Sequence, residues 1–342
     1  MTPPPDASPE GSSDTPADAP RETSAEGSSG AAPDPPRRVA VTGASGLIGS
    51  ALVRSLRADG HEVVRLVRRA PSAPDEARWD ARARDPEITA SALEGCEAVV
   101  HLAGAGVGDR RWTESYKREI RESRVLGTTA VARAVAELAK SGSGPRVFLC
   151  GSAIGFYGDT GERRVDESAP PGTGFLPEVC VAWEAAAEPA VAAGARTVFL
   201  RTGLVVSRRG GAWGRLFPIF RAGAGGRLGD GRQYWSHISL ADHVAAMRFL
   251  LRETPDALSG PVNLTAPEPV TNREATAAMG RVLGRPTVFA VPGPALRLAL
   301  GEFATDVLGS QRVVPRRLLE AGFRFAHPGI EDAVRAALES DD

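Results

Sequence analysis

The chain has few cysteines and no long apolar run, and each scarcity excludes a class of protein. Its 342 residues include three cysteines, Cys96, Cys150 and Cys180. Their spacing fits neither a disulfide scaffold nor a zinc cluster, so we predict a cytoplasmic protein without a metal site. Because no run of about 18 apolar residues occurs, no membrane-spanning helix is expected. The formal net charge of -1 provides no basic field for nucleic acid or an anionic membrane.

Charge and proline are concentrated at the N-terminus. Residues 1–36 contain nine of the 27 prolines and seven acidic residues against one arginine. Apart from Met1, no Leu, Ile, Val, Phe or Met precedes Val39. Such a segment buries too little apolar surface to offset the entropy cost of ordering it. We therefore predict a disordered acidic, proline-rich tail over 1–36.

Apolar β-branched runs alternate with stretches of helical periodicity after this tail. Strands are predicted at 39–42, 61–67, 98–102, 146–150, 197–201 and 261–264, and helices at 50–59, 113–140, 177–193, 242–253 and 330–338. The alternation is typical of an α/β fold with a doubly wound parallel sheet. A Gly/Arg-rich stretch at 208–233 is too long for a simple connection and is predicted to be a substrate lid. We place a nucleotide-binding domain at 37–265 and a small C-terminal domain at 266–340.

The first predicted strand leads into a glycine-rich turn and then a helix. This segment supplies the candidate cofactor-binding residues Thr42, Gly43, Ser45, Gly46, Leu47, Ile48 and Gly49. The first glycine allows a tight turn, the second lets the backbone approach a pyrophosphate, and the third lets the helix pack on the sheet. The helix N-terminus attracts phosphates. The pattern predicts dinucleotide binding, and a purely structural turn is the alternative. An export signal at Arg37-Arg38 explains the regularly spaced glycines less well.

The end of the second strand indicates which dinucleotide is bound. Sites selective for NAD usually hold an acidic residue there, which binds the ribose hydroxyls. This chain instead has Val67, followed by Arg68 and Arg69. With no carboxylate at this strand end, a guanidinium can pair with the 2′-phosphate of NADP. We predict that NADP(H) is favoured over NAD, with Val67 and Arg68 in the site. A solvated arginine pair is the alternative.

Several further segments carry a resemblance to a known family. They lie at 101–104, 111–113, 123–124, 152–158, 183–184, 201–203, 229–233, 263–267, 285–286 and 315–323. Over residues 38–338 the chain resembles extended, atypical short-chain dehydrogenases/reductases, in the epimerase-family branch with a distinctive C-terminal domain. The resemblance implies an NADP(H)-dependent oxidoreductase or epimerase-like enzyme acting on a small polar metabolite, as a monomer or homodimer. It also implies cofactor contacts from Leu102, Ala103, Gly104, Glu119, Arg124 and Val205. For Arg124, a salt bridge within its helix is the alternative.

The usual catalytic pair of this superfamily is missing. Its members combine a serine with Tyr-x-x-x-Lys, in which the lysine lowers the tyrosine pKa, and this chain has no Tyr-x-x-x-Lys. The equivalent stretch has Cys180 and Glu184 at the same separation. A carboxylate raises the pKa of a nearby thiol, so we expect Cys180 to be a small buried residue. A catalytically weak NADP(H)-binding protein with a regulatory or partner-binding role is the alternative function.

Four residues are candidates for the catalytic groups. Ser152 follows a strand at the edge where substrates bind, and turn capping is its alternative role. Tyr157 is a candidate replacement for the missing phenol, although simple packing is favoured. Glu184 is either a general acid/base or, as we favour, an ion-pair partner of Arg201. His237 is a candidate acid/base, although it lies two positions before the usual histidine of the branch.

Overall fold

Seven parallel strands form the central sheet of the computed structural model, which describes Met1 and residues 37–82, 87–252, 254 and 256–339. The predicted tail at 1–36 therefore lies outside the described residues, apart from Met1. The strands are β1 Arg38–Thr42, β2 Glu62–Val67, β3 Glu76–Arg78, β4 Ala98–His101, β5 Val147–Ala153, β6 Arg196–Thr202, β7 Leu204–Val206, β8 Gly226–Leu228, β9 Tyr234–Trp235, β10 His237–Ser239, β11 Gly260–Leu264, β12 Val270–Thr271 and β13 Phe289–Val291.

Helices cover both faces of this sheet. They are α1 Leu47–Ala58, α2 Glu87–Leu93, α3 Glu114–Ala139, α4 Phe175–Ala185, α5 Glu188–Ala192, α6 Gly211–Arg221, α7 Leu240–Leu251, α8 Asn272–Leu283, α9 Gly293–Leu300, α10 Ala304–Leu308, α11 Arg316–Glu320 and α12 Ile330–Glu339. Short 3-10 turns form at Ile154–Tyr157 and Gly301–Phe303.

The order of the strands determines where a ligand binds. The sheet runs β3-β2-β1-β4-β5-β6-β11, so the chain moves outward from β1 to β3 and then returns to place β4 on the other side of β1. In open α/β sheets, ligands bind outside the carboxyl ends of the strands where the order reverses. The predicted doubly wound parallel α/β fold is confirmed, and its switch point lies between β1 and β4.

Alternation along the strands explains the two packed faces. Val39 and Val41 of β1 belong to a buried cluster with residues of α1 and α7. Ala40, between them, belongs to a second cluster with residues of α2, α3 and α5. Successive side chains of a strand point to opposite faces, so a short apolar run such as this one is buried on both sides.

Two predicted elements differ from the structure. The single helix predicted at 177–193 is divided into α4 and α5, because Pro189 in the first turn of α5 has no backbone N–H with which to continue α4. The predicted lid at 208–233 is not a loop throughout, since it contains α6 and β8. The buried residues Trp213, Phe217 and Phe220 give α6 a helical period, which the surrounding glycines concealed.

The C-terminal part adds a third core. Side chains of α6, α8 and α12 pack together, with Trp213, Met279 and Val334 almost fully buried. A bridge between Val165 and Val313 ties the chain near 313 to the loop that follows β5. The described residues from 37 to 339 form one compact unit, and the domain division at 265 stays a prediction.

Candidate active site

The glycine turn packs closely against the chain after β4 and against the first turn of α1. Gly43 has φ 67°, and a Cβ on it would lie 2.9 Å from the backbone carbon of Leu102. A Cβ on Gly49 would lie 2.2 Å from the Gly43 oxygen. Because α1 begins at Leu47 with no side-chain cap and no acidic residue in its first turn, its first amides are left to an anion.

A buried threonine and histidine hold the turn after β4 against β1. The Thr42 Oγ1 accepts hydrogen bonds from Leu102 N at 3.0 Å and Ala103 N at 3.2 Å. It therefore donates its own proton to His101 Nδ1, 2.8 Å away. Burial lowers the pKa of His101 to about 3, so the ring is neutral. Thr42 and His101 are register neighbours on paired strands, so the sheet itself sets their spacing.

A crevice of about 940 Å³ opens at the carboxyl ends of β1, β2 and β4. Of the predicted cofactor residues, the crevice is lined by Gly43, Ser45, Gly46, Val67, Arg68, Leu102, Ala103, Gly104 and Glu119. Leu47, Ile48 and Gly49 follow the turn in α1, and Thr42 lies beneath it. Val205 lies in β7 and packs against the apolar core. Most of the residues predicted to bind the cofactor thus surround one cavity.

The two arginines after β2 have different surroundings. The Arg69 guanidinium donates to both carboxylate oxygens of Glu76, at 2.7 and 2.8 Å, and this pairing lowers the pKa of Glu76 to about 2. Arg68 lines the crevice, is exposed, and makes no hydrogen bond or ion pair with the residues that the structure describes. The sequence argument missed the Glu76 carboxylate, which belongs to β3, a strand it did not predict.

Arg124 lies beside the end of β4. Its Nη1 donates to Ile120 O at 3.0 Å, and its guanidinium lies 4.9 Å from the ring centroid of Trp183. A Cβ on Gly104 would lie 3.5 Å from the Arg124 side chain. Within the described part of the chain it forms no salt bridge, so the predicted alternative of a pair within its helix is not present there.

A buried polar chain joins Ser152, Glu184 and Arg201. The Ser152 hydroxyl donates to Glu184 Oε1 at 2.7 Å. Arg201 donates from Nε to Glu184 Oε1 at 2.8 Å and from Nη2 to Oε2 at 2.9 Å. Ser152 on β5 and Arg201 on β6 are register partners, so the sheet itself sets their spacing. The favoured pairing of Glu184 with Arg201 is thus present.

Tyr157 continues this chain toward the C-terminal region. Its Oη accepts from Arg201 Nη1 at 3.0 Å and donates to Asn263 Oδ1 at 2.7 Å. Burial raises the pKa of Tyr157 to about 12. Asn263 Nδ2 in turn donates to Val314 O at 2.9 Å. The phenol therefore holds its proton in a bond to Asn263, a partner that the sequence analysis did not identify.

The buried carboxylate of Glu167 completes this end of the network. It accepts from Asn263 N at 3.0 Å and more weakly from Arg317 N, at 3.4 Å. Burial is the main cause that raises the pKa of Glu167. The backbone of the C-terminal region thus contacts the residues that fix Tyr157.

Cys180 and His237 are both buried. Burial, with a smaller effect of Glu184, raises the pKa of the Cys180 thiol to about 12, so the expectation of a small buried residue is confirmed. Burial lowers the pKa of His237 on β10 to about 4. Among the described residues, no hydrogen bond joins His237 to Ser152, Tyr157 or Glu184. The structure therefore brings three of the four catalytic candidates together and leaves His237 apart.

Two features are absent from the part of the chain that the structure describes. Within residues 37–82, 87–252, 254 and 256–339, no helix is long and apolar enough to span a bilayer. The same residues hold no cluster of three or more His, Cys, Asp or Glu side chains suited to a metal ion.

Comparison with known proteins identifies the family. The model of the NAD dependent epimerase/dehydratase family matches residues 39–264, and that of a domain of unknown function, DUF1731, matches residues 291–337. An epimerase family protein of Mycobacterium bovis is 47% identical over 289 residues, covering 84% of this chain and 93% of its own. The human epimerase family protein SDR39U1 is 33% identical over 292 residues, covering 84% and 95%.

Solved structures give the same result. The crystal structure of human SDR39U1 (isoform 2) with NADPH has a TM-score of 0.79 and 31% identity, and the match covers 89% of this chain and all of that one. A nucleoside-diphosphate sugar epimerase from Corynebacterium glutamicum has a TM-score of 0.72 and 35% identity, covering 89% and 58%. With the glycine turn, the strand order and these matches together, the chain belongs to the NAD dependent epimerase/dehydratase family and carries the C-terminal DUF1731 domain.

Proposed function

We propose that this protein is an NADP(H)-dependent oxidoreductase or epimerase-like enzyme that acts on a small polar metabolite. The observation that carries the proposal is the exposed Arg68 guanidinium at the rim of the crevice. Its neighbour Arg69 is held by Glu76, so of the two arginines after β2 it is Arg68 that is available for a 2′-phosphate. The relative SDR39U1 was crystallised with NADPH, which supports the same choice here.

The residues around the crevice fit a dinucleotide phosphate. The uncapped first turn of α1 would hold the diphosphate, and Arg68 would pair with the 2′-phosphate. The backbone of Leu102–Gly104, which Thr42 fixes, would contact the adenosine side. Side chains at Gly43 or Gly49 would collide with the backbone of Leu102 or Gly43, so the glycines allow the close backbone packing that shapes this cradle. When bound, the nicotinamide would supply or accept a hydride.

Ser152 and Glu184 form the proposed proton-transfer pair. The Ser152 hydroxyl already donates to Glu184, so it presents lone pairs to a substrate and accepts a proton from a substrate hydroxyl. As that proton arrives on Ser152 Oγ, the serine proton passes to Glu184 Oε1. In the opposite direction the proton returns along the same two bonds. Arg201 holds the carboxylate in place by binding both of its oxygens.

Tyr157 supports the proton-transfer pair in this proposal, and His237 takes no part in it. The proton of Tyr157 is engaged by Asn263, and a pKa of about 12 makes it a poor acid. We assign it to orienting Arg201. His237, with a pKa near 4 and no hydrogen bond to Ser152 or Glu184 among the described residues, is the weaker acid/base candidate.

A second candidate function is a catalytically weak NADP(H)-binding protein with a regulatory or partner-binding role. The high pKa of Cys180, where the superfamily has its tyrosine, favours it. The test is to mix the protein with NADPH and aldehydes, ketones and keto nucleotide sugars, and with NADP⁺ and the matching alcohols, and follow nicotinamide absorbance. Turnover abolished by Ser152→Ala supports the enzyme, whereas tight NADPH binding without turnover supports the alternative.

The location and assembly of the protein are also proposals. The three cysteines are unpaired and buried, which agrees with a reducing cytoplasm. We propose a cytoplasmic monomer or homodimer.

A further inference from the structure

The crevice covers only part of the path that a dinucleotide takes. Its lining comes from the ends of β1, β2 and β4, the chain near β3 and the nearby face of α3, and in the chain after β4 it extends to Ala105. In doubly wound folds the dinucleotide crosses the switch point from the β2 side toward the far side of β4. There, Ser152 at the end of β5 is 4% exposed. Protein therefore covers the end of β5, which lies on this second half of the path.

Two segments follow the carboxyl ends of strands on this side, where ligands of such folds bind, and we call them together the cover. The first is the loop at 105–112 that follows β4, and the second is the chain at 207–221, which includes α6. A Cβ on Gly210, the residue before α6, would lie 3.6 Å from the Leu47 side chain. The second segment thus passes against the first residue of α1, next to the proposed diphosphate position.

Arg215 connects the two segments of the cover. One turn into α6, its Nη1 donates to the Gly108 carbonyl oxygen. Its Nη2 donates to Asp109 Oδ1 at 3.1 Å. Both side chains are exposed, at 60% for Arg215 and 63% for Asp109. An ion pair as exposed as this one is weak, so water and thermal motion can open it.

The loop at 105–112 is anchored independently of α6. Trp112 Nε1 donates to Val107 O at 2.7 Å, and Tyr116 Oη donates to Gly106 O at 2.5 Å. The Phe303 ring packs on Trp112, with centroids 5.2 Å apart. The loop therefore keeps its fold when the Arg215 contact is lost, and because buried Trp213, Phe217 and Phe220 hold α6 in the third core, only the join between the two segments opens.

We propose that Arg215 is the latch of this cover: by binding Gly108 and Asp109 it closes the nicotinamide half of the crevice over a bound dinucleotide and slows its release. The inference rests on the proposed function, since it requires that NADPH binds. It assigns a retention role to a residue outside the crevice and predicts that the adenosine half is not affected.

The test compares two ligands, of which one extends beneath the cover and the other does not. NADPH fills the whole path, whereas 2′,5′-ADP carries only the adenosine half with its 2′-phosphate. Dissociation of each is followed by stopped-flow displacement from the full-length protein. The variants are Arg215→Gln and Asp109→Asn, and the control is Arg281→Gln, which removes another exposed ion pair, with Glu331, between α8 and α12. Thermal midpoints verify that each variant is folded.

Both latch variants are expected to release NADPH about fivefold faster than the wild type, in line with one exposed ion pair. Release of 2′,5′-ADP and the behaviour of Arg281→Gln are expected to match the wild type. The charge swap Asp109→Arg with Arg215→Asp should restore part of the slow release. Unchanged NADPH release, or equal acceleration of both ligands, overturns the latch alone. If the wild type does not bind NADPH, the proposed function fails first, and the latch with it.

Discussion

The Ser152 hydroxyl donates its proton to Glu184 Oε1 across 2.7 Å, so the orientation of the serine is set from within the protein. Glu184 is held in turn by two bonds from Arg201. The Ser152 hydroxyl is therefore held by an anion that has its own buried cation.

Removing only one partner of the Arg201–Glu184 ion pair is expected to destabilise the folded protein. Replacing Arg201 with Leu leaves a carboxylate with 12% side-chain exposure unpaired, which should lower the free energy of unfolding by about 3–5 kcal/mol. The double variant Arg201→Leu, Glu184→Leu removes both charges and should recover much of that loss. Urea denaturation measures both. If the double variant is as unstable as the sum of the singles, the charges are not the cause.

Arg68 is expected to determine the cofactor preference. Arg68→Gln should weaken NADPH binding by about 10- to 100-fold, because a charge-assisted hydrogen bond contributes about 1.5–3 kcal/mol. NADH binding should stay the same, since NADH has no 2′-phosphate. Calorimetric titration measures both ligands. Arg78→Gln is the matched control, because Arg78 is exposed on the neighbouring β3 and does not line the crevice. Equal loss of NADPH and NADH affinity in Arg68→Gln would contradict this role.

The hydroxyl of Thr42 is expected to stabilise the turn after β4. Thr42→Val leaves the amides of Leu102 and Ala103 without their acceptor and should lower the stability by about 1–3 kcal/mol. Thr42→Ser retains the hydroxyl and is the control. Thermal unfolding with and without NADPH measures the effect. A valine variant as stable as the serine variant would mean that the two amides find another partner.

Three buried histidines should make the fold sensitive to acid. Burial lowers the pKa of His101 and His243 to about 3 and of His237 to about 4, below the 6.5 of an unfolded chain. Between pH 6.5 and about 4 the unfolded state binds more protons than the native state. Stability therefore falls as the pH falls through this window, by up to about 1.4 kcal/mol per pH unit for each histidine.

Urea denaturation across that pH range measures the slope. His237→Gln should reduce the slope of the unfolding free energy against pH by the contribution of about one bound proton, relative to the wild type. A stability that is flat from pH 6.5 to 5 would show that these rings are accessible to protons in the native state.

The sequence predicted the part of the site that is local in the chain. The glycine turn, the β-branched strands and the arginines after β2 follow one another within about 30 residues, and each has a pattern tied to a physical cause. The sheet order then follows from general rules for βαβ units. Residues 208–233 were harder, because glycines at 210, 211 and 214 obscured the helical period of Trp213 and Phe217.

Contacts between distant segments could not be predicted from periodicity. Glu76 reaches the crevice from a strand of three residues, too short to give a pattern. Asn263 binds Tyr157 across 106 positions of sequence, and Arg215 contacts Asp109 across 106. Such pairs depend on how the folded elements face each other, and a single sequence has no covariation to reveal them.

The bond from Asn263 to Val314 O, in the DUF1731 domain, means that the two matched regions do not act as separable modules. A backbone oxygen near the end of the chain helps to set the direction of Tyr157, and through Arg201 that of Glu184. Swapping residues 291–337 for the matching region of a distant relative would therefore misalign Ser152 and Glu184 without altering either residue. A hybrid built from this protein therefore needs to keep the two matched regions from one parent.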